Sequence, residues 1–346
     1  MKIIVDDKIP FIRGQVERLA DEVVYLPGSD IAPADVRDAD ILLIRTRTQC
    51  DRRLLEGSRV RFIVTATIGY DHLDTDYLRE AGIEWTNCPG CNATSVAQYV
   101  RNSLLTLERQ GMVSLQEATL GIIGYGHVGK AVYQAMRPYV KEIQVNDPPL
   151  VDACRDATCD VRDEAHNDAN MRMRHAVSLQ EVAACDIITL HTPLTFDGPY
   201  PTHHLVGEPF LQQLTRRPIL INAARGGVVD EAALLKALDA GLVRAAVIDT
   251  WEGEPDISRA LLERAAIATP HIAGYSADGK ANATRMTLEA VARWMGRKEE
   301  FDIRPPQAAP NRTALNYNPT DDSLPLKLHP EGFEQQRGNY PLRREA

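Results

Sequence analysis

The segment ATLGIIGYGHVG (118–129) constrains this 346-residue chain more than any other. Gly124, Gly126 and Gly129 form a G-x-G-x-x-G run directly after an apolar strand and at the head of a helix. The first glycine permits a tight turn and the second lets the backbone approach a pyrophosphate. The third lets the helix pack closely on the strand, and the helix N-terminus faces the phosphates. Alone the run is weak and could be a structural turn; between a strand and a helix it predicts a dinucleotide cradle. His127 and Val128 lie inside it and count with the cofactor residues, His127 through backbone or solvent.

Apolar strands alternate with helical stretches on both sides of this segment, as in doubly wound sheets. Before it, strands are expected at 2–6, 22–26, 40–45, 60–66 and 82–87, with helices at 12–20, 51–56 and 75–81. A long amphipathic helix, 91–110, leads into the fingerprint, with Asn92 or Thr94 as its cap. After it, strands are expected at 119–124, 142–147, 186–191, 218–223, 244–249 and 266–270. Helices fall at 127–137, 178–184, 207–214 and 230–240. Residues 150–177 are polar and without a trustworthy period, and read as an elaborated loop. Another helix, 277–297, returns the chain to the first unit.

The expected fold is therefore α/β, with two Rossmann-like doubly wound domains. A discontinuous substrate domain (1–90 and 277–297) accompanies an NAD-binding domain (91–276). A short C-terminal region (298–346) follows, holding seven prolines from residue 301 onward and no long periodic helix. It reads as an extended or disordered tail, or as a small appendage anchored by Tyr317, Leu324, Leu326, Leu328, Phe333 and Tyr340.

The net charge of −9 argues against a nucleic-acid footprint. No segment has the length and apolarity to span a bilayer. The opening MKIIVDDKIP lacks a signal-peptide layout, and six cysteines are no disulfide scaffold. A cytoplasmic protein without nucleic-acid or membrane partners is expected.

Asp147 ends the strand after the fingerprint helix, 18 residues beyond Gly129. A carboxylate there accepts ribose hydroxyls and repels a 2′-phosphate, which favours NAD over NADP. Alternatively, Asp147 caps a turn with Pro148 and Pro149. Thr192, Ala223 and Asp249 stand at strand carboxyl ends, where open α/β sheets bind ligands. Asp249 could accept from the nicotinamide carboxamide, or make ordinary strand-end hydrogen bonds.

Three further segments carry the chemistry: NAARGGVVDE (222–231), IDTWEGEP (248–255) and TPHIAGY (269–275). Oxidising an alcohol beside a carboxylate needs a base for the hydroxyl proton and a cation for the carboxylate. Histidine as a residue type titrates near neutrality, which suits His271 to accept a proton and return it. Glu254 would fix its tautomer and favour its charged form. Arg225 offers a rigid fork to a carboxylate. Singly, these would be a satisfied histidine, a solvated turn residue and a helix-end arginine. Jointly, at strand ends, they point to one site. His191 lacks an obvious orienting carboxylate. His203 and His204 follow the loop DGPYPTHH (197–204) and rank lower. Cys88 and Cys91 (CPGC) read as plain thiols rather than a redox or zinc pair, and Cys154 and Cys159 do not complete a site. No metal is expected.

With GYGHVGKAV, HTPL, INAARGGVVDEAAL, IDTWEGEP and TPHIAG in place, the chain resembles the D-isomer-specific 2-hydroxyacid dehydrogenases over about residues 1–297. The resemblance implies a catalytic Arg225 and Glu254, an acid/base His271, and nucleotide contacts at Asp147, Thr192, Asp249 and Gly274. The words VDDKIP, TATIGYDHLD, TFDGPY, HIAGYSADGKA and EGFEQQRGNYPLRRE resemble a branch acting on a phosphorylated hydroxy acid. That match implies substrate contacts at Thr46, Thr67 and Tyr275, a cleft between domains, and a homodimer. Arg45 and Arg47 flank Thr46 as candidate phosphate ligands. The C-terminal region is shorter than that branch's dimerisation domain, and the 150–177 excursion is longer. Rival readings are another 2-hydroxy acid, such as 3-phosphoglycerate, and a non-catalytic NAD-sensing interaction protein.

Overall fold

The computed structural model describes residues 1–155, 176–309, 312–313 and 316–345. They cluster into two compact units. One holds 1–92, 276–308 and 343–345; the other holds 93–275 and the described residues of 309–342.

In the first unit, five strands form one parallel sheet: β1 (Lys2–Asp6), β2 (Glu22–Leu26), β3 (Ile41–Ile44), β4 (Phe62–Thr65) and β5 (Glu84–Thr86). Their order is β2-β1-β3-β4-β5. The central strands ILLI and FIVT are buried at every position, as a parallel sheet covered on both faces requires. Side chains alternate between two cores. Ile3, Val5, Ile41, Leu43 and Val64 pack with Leu288 and Val291 of the helix Ala277–Trp294. Ile4, Leu42, Ile44 and Ile63 pack with Leu54, Leu55 and Leu78 on the other side. The helix expected at 12–20 is reduced to a 3-10 turn, Val16–Arg18, preceded by Gly14 at φ +80°. A short helix, Pro33–Val36, was not anticipated.

In the second unit, β6 (Thr119–Ile123), β7 (Glu142–Asn146), β8 (Ile187–Leu190), β9 (Ile219–Asn222), β10 (Ala245–Ile248) and β11 (Ile267–Ala268) form a parallel sheet. Their order is β11-β10-β9-β8-β6-β7. The chain leaves β6 toward β7 and returns on its other side at β8. This reversal opens a crevice beyond the carboxyl ends of β6 and β8. Ala176 adds one parallel bridge to Val145. The helix Ala93–Arg109 buries its length in this unit's core. Asn92 does not cap it, because its Oδ1 is buried without a hydrogen-bond partner.

One expectation needs correction and one alternative is decided. The loop expected from 150 is helical over Pro148–Arg155. Residues 156–175 and the side chains of Cys154 and Cys159 lie outside the described residues. The C-terminal stretch is the anchored appendage rather than the extended tail, and its residues divide between the two units. Phe301 and Ile303 join the first unit's core, and Tyr317, Leu326 and Phe333 join the second's. Helices Thr320–Leu328 and Phe333–Gly338 carry the latter two anchors. Leu324 and Leu328 are exposed instead. The last residues grip the start of helix Ala277–Trp294: Arg344 Nε donates to Asp278 at 2.9 Å and the Glu345 N–H at 2.8 Å. No helix among the described residues is long and apolar enough to cross a membrane.

Candidate active site

Packing requires glycine at two of the three fingerprint positions, Gly124 and Gly129. Gly124 has φ +91°, and a Cβ there would meet the His191 carbonyl oxygen at 2.7 Å. A Cβ on Gly129 would lie 2.0 Å from the Gly124 carbonyl oxygen. Gly126 faces open space and leads into the helix His127–Met136. Val128 is half-buried on that helix, and His127 is exposed at its first position.

Two buried polar atoms at the β8 end, Thr192 Oγ1 and His191 Nδ1, have no hydrogen-bond partner among the described residues. An open glycine turn beside orphaned donors and acceptors fits a dinucleotide. Burial pushes His191 down to about 3, so it is neutral near pH 7 and unsuited to proton transfer. Asp147 caps the turn that follows it. Its Oδ2 accepts the Tyr125 N–H of the fingerprint at 2.7 Å, and its Oδ1 accepts the Leu150 N–H at 3.0 Å, starting the next helix. It remains partly exposed.

The loops after β9, β10 and β11 meet. Asn222 Nδ2 donates to the Arg225 carbonyl at 3.0 Å and to the Thr250 carbonyl at 3.3 Å. A Cβ on Gly226 would overlap the Trp251 carbonyl oxygen at 1.9 Å, so only glycine permits this approach. Ala223 and Arg225 are partly exposed on this turn, and the Arg225 guanidinium donates to the Ala224 carbonyl at 2.9 Å.

Asp249 is 1% exposed and spends its oxygens on its own chain. Oδ1 accepts from Thr269 Oγ1 and the Ile272 N–H, each at 2.7 Å; Oδ2 accepts from the Ala273 N–H at 3.0 Å. These bonds shape the loop that carries His271. His271 sits at φ +56°, a left-handed conformation costing a non-glycine residue about 1–2 kcal/mol. Its N–H donates to the Asp249 carbonyl at 2.8 Å.

His271 Nδ1 meets Glu254 Oε2 at 2.8 Å and Oε1 at 3.1 Å. Nε2 is thereby left for a substrate proton. Glu254 Oε1 also accepts the Trp251 N–H at 2.9 Å. Burial opposes ionisation of Glu254. The His271 hydrogen bond and charge, the Trp251 N–H and Arg337 outweigh it, so the carboxyl titrates below its ordinary value.

Arg337 was not anticipated. It comes from the C-terminal helix Phe333–Gly338, lies 3.9 Å from Glu254 Oε2, and donates from Nε to the Tyr275 hydroxyl at 3.1 Å. Glu231 was missed as well. It is 7% exposed and exchanges hydrogen bonds with Glu252: the Glu252 N–H reaches Glu231 Oε1 at 2.7 Å, and the Glu231 N–H reaches Glu252 Oε2 at 3.4 Å. Burial, with the charges of Glu252 and Glu254, pushes its carboxyl up to about 7. Gly274 is partly exposed, immediately before Tyr275.

In the first unit, Thr67 Oγ1 donates to the Gly69 carbonyl at 2.9 Å and lies 2.7 Å from Thr65 Oγ1, which bonds His72 Nε2 at 3.0 Å. Thr46 is exposed. Arg45 reaches the Lys8 carbonyl at 3.1 Å. Burial and the neighbouring Arg45 cation hold the Lys280 ammonium below its usual value, so this unit gathers positive charge. Cys88 and Cys91 are buried free thiols, raised to about 11 and about 12 chiefly by burial, which leaves them inert.

Residues 92–273 match the family described as D-isomer specific 2-hydroxyacid dehydrogenase, NAD binding domain. The chain is 48% identical to erythronate-4-phosphate dehydrogenase of Bacteroides thetaiotaomicron, covering 100% of this chain and 97% of that one. It is 38% identical to the protein of that name from Escherichia coli O157:H7, covering 100% and 87%. Among solved structures, the D-lactate dehydrogenase of Aquifex aeolicus, complexed with NAD and lactic acid, has a TM-score of 0.68 at 24% identity, covering 88% and 100%. The NAD-bound 3-phosphoglycerate dehydrogenase of Entamoeba histolytica also has a TM-score of 0.68 at 24% identity, covering 86% and 95%. The chain belongs to the D-isomer-specific 2-hydroxyacid dehydrogenase family, and NAD is its cofactor.

Two outcomes follow. Arg337→Met removes a partner of both Glu254 and Tyr275. It should lower kcat about tenfold, the effect of losing ~1.4 kcal/mol, while NAD affinity stays within twofold. Arg337→Lys should recover part of the loss; an unchanged kcat in Arg337→Met would remove its assigned role. For Glu231, a folded pKa above the ordinary 4.5 means that its stability contribution is complete below 4.5 and lost as pH rises through about 7. Glu231→Gln cannot ionise, so denaturation should find it up to ~3 kcal/mol more stable than the parent at pH 8. The advantage should vanish below pH 4.5; a gap independent of pH would contradict this.

Proposed function

We propose that the chain oxidises 4-phospho-D-erythronate at C2 to 2-oxo-3-hydroxy-4-phosphobutanoate, with NAD as acceptor, in pyridoxal phosphate biosynthesis. The observation that carries this reading is the His271–Glu254 pair at 2.8 Å, in a chain 48% identical over its full length to an erythronate-4-phosphate dehydrogenase. NAD, when bound, accepts the hydride from C2. His271 takes the C2 hydroxyl proton at Nε2, and Glu254 stabilises the imidazolium that results. Arg225 holds the substrate carboxylate and the developing carbonyl.

Gly124, Gly126, His127, Val128 and Gly129 cradle the pyrophosphate. Asp147 takes the adenosine ribose. Thr192, Ala223 and Gly274 line the nicotinamide side, where Asp249 Oδ2, with one protein donor, has a lone pair for the carboxamide. Thr46, Thr67 and Tyr275 contact substrate, and Arg45 with Lys280 supplies charge complementary to a phosphate. The working form is a cytoplasmic homodimer without nucleic-acid or membrane partners.

A single-turnover assay at the NADH absorbance band tests this, with enzyme in excess over substrate. A burst with 4-phospho-D-erythronate and none with 3-phosphoglycerate is expected. A burst only with 3-phosphoglycerate would reassign the substrate. Silence with both, despite NAD binding, would favour the sensing reading.

A further inference from the structure

A second group of chemistry-bearing side chains lies in the NAD-binding unit, outside the residues given roles above. His203 and His204 are adjacent, and their rings stack 4.0 Å apart at 16°. His204 Nε2 lies 2.5 Å from Glu252 Oε1. One donor atom from each of His203, His204 and Glu252 falls within 4.8 Å of the others. His203 is exposed, while His204 and Glu252 are partly so, which leaves the cluster open to an ion from solvent.

The cluster is built rather than incidental. The His203 N–H donates to the Thr195 carbonyl at 2.9 Å, and the His204 N–H to the Gly227 carbonyl at 2.8 Å. The Phe196 ring covers His203 at 4.8 Å. His204 takes a left-handed backbone, φ +49°, which costs a non-glycine residue about 1–2 kcal/mol. Its other nitrogen, Nδ1, faces Asp230 Oδ2 at 3.9 Å. At that distance Asp230 makes no hydrogen bond to the ring but adds negative charge beside it. Glu252 is fixed from behind by its exchange with Glu231.

We propose that His203, His204 and Glu252 form a binding site for a divalent transition-metal ion of the zinc class, with the Asp230 carboxylate adding negative charge nearby. Two imidazoles and one carboxylate suit zinc, nickel or cobalt and leave a fourth position for water. Magnesium and calcium prefer oxygen-only sets. Metal bonds of about 2.0–2.2 Å set tetrahedral donors roughly 3.3 Å apart, so the His204–Glu252 pair opens slightly while rotation of the exposed His203 ring brings its nitrogen in. The ion displaces the proton shared by His204 and Glu252, and ties the 203–204 turn to the loop that carries Glu254. The site departs from the sequence reading, which expected no metal, and it does not depend on which hydroxy acid is the substrate.

Titration calorimetry of the chelator-treated full chain with zinc chloride tests the site. The parent should bind one equivalent, His203→Ala and Glu252→Gln should bind at least tenfold more weakly, and magnesium chloride should give no binding. His271→Asn is included because the His271–Glu254 pair could itself take zinc; it should bind like the parent. Zinc should also raise the Tm of the parent but not of His203→Ala. Circular dichroism verifies folding, and His203→Ala, an exposed ring, carries the test if Glu252→Gln misfolds. Parent-like affinity in His203→Ala, or loss of binding in His271→Asn with retention in His203→Ala, would overturn the proposal.

Discussion

A carboxylate almost without solvent sets the loop that carries His271. Asp249 ends β10 and gathers the Thr269 hydroxyl and the Ile272 and Ala273 N–H groups around its two oxygens. Burial raises its pKa and so works against its charge, which those donors and the nearby His271 help to retain. The loop after β11 is thereby bent so that His271 holds a conformation it would otherwise avoid, with its Nδ1 against Glu254. The strain at His271 is offset by bonds made elsewhere, as expected of a preorganised site.

The NAD-binding unit supplies the glycine turn, Thr192, the Arg225 turn and the His271–Glu254 pair, all from loops at strand carboxyl ends. In the other unit, Thr67, Thr65 and His72 are joined in one hydrogen-bond chain. The C-terminal segment serves both: Arg337 reaches Glu254 and Tyr275 in one unit, and Arg344 with Glu345 secures Asp278 in the other.

The strands were legible because buried parallel strands are runs of valine, isoleucine and leucine that need no partner to be recognised. The words around Arg225, Glu254 and His271 were legible because each follows such a strand. The helix Thr320–Leu328 was not: Pro325 lies inside it, and its apolar residues split between the buried Leu326 and the exposed Leu324 and Leu328. Arg337, Glu231 and the His203–His204–Glu252 cluster gain meaning only through partners distant in sequence. For Asp147 and Asp249 the structure shows the local half of each two-way reading, because a strand-end aspartate holds its own backbone N–H groups. The start of the 150–177 stretch was misread because Pro148 and Pro149 suggest a turn, whereas Asp147 makes them the first turn of a helix.

The central claim is that His271 and Glu254 act as one unit in proton transfer. A double-mutant cycle on kcat, with Glu254→Gln, His271→Asn and the double variant, tests it most directly. The account predicts that the double variant is no slower than His271→Asn alone, because Glu254 acts only through the imidazole. Losses that multiply would contradict it and give Glu254 a separate role.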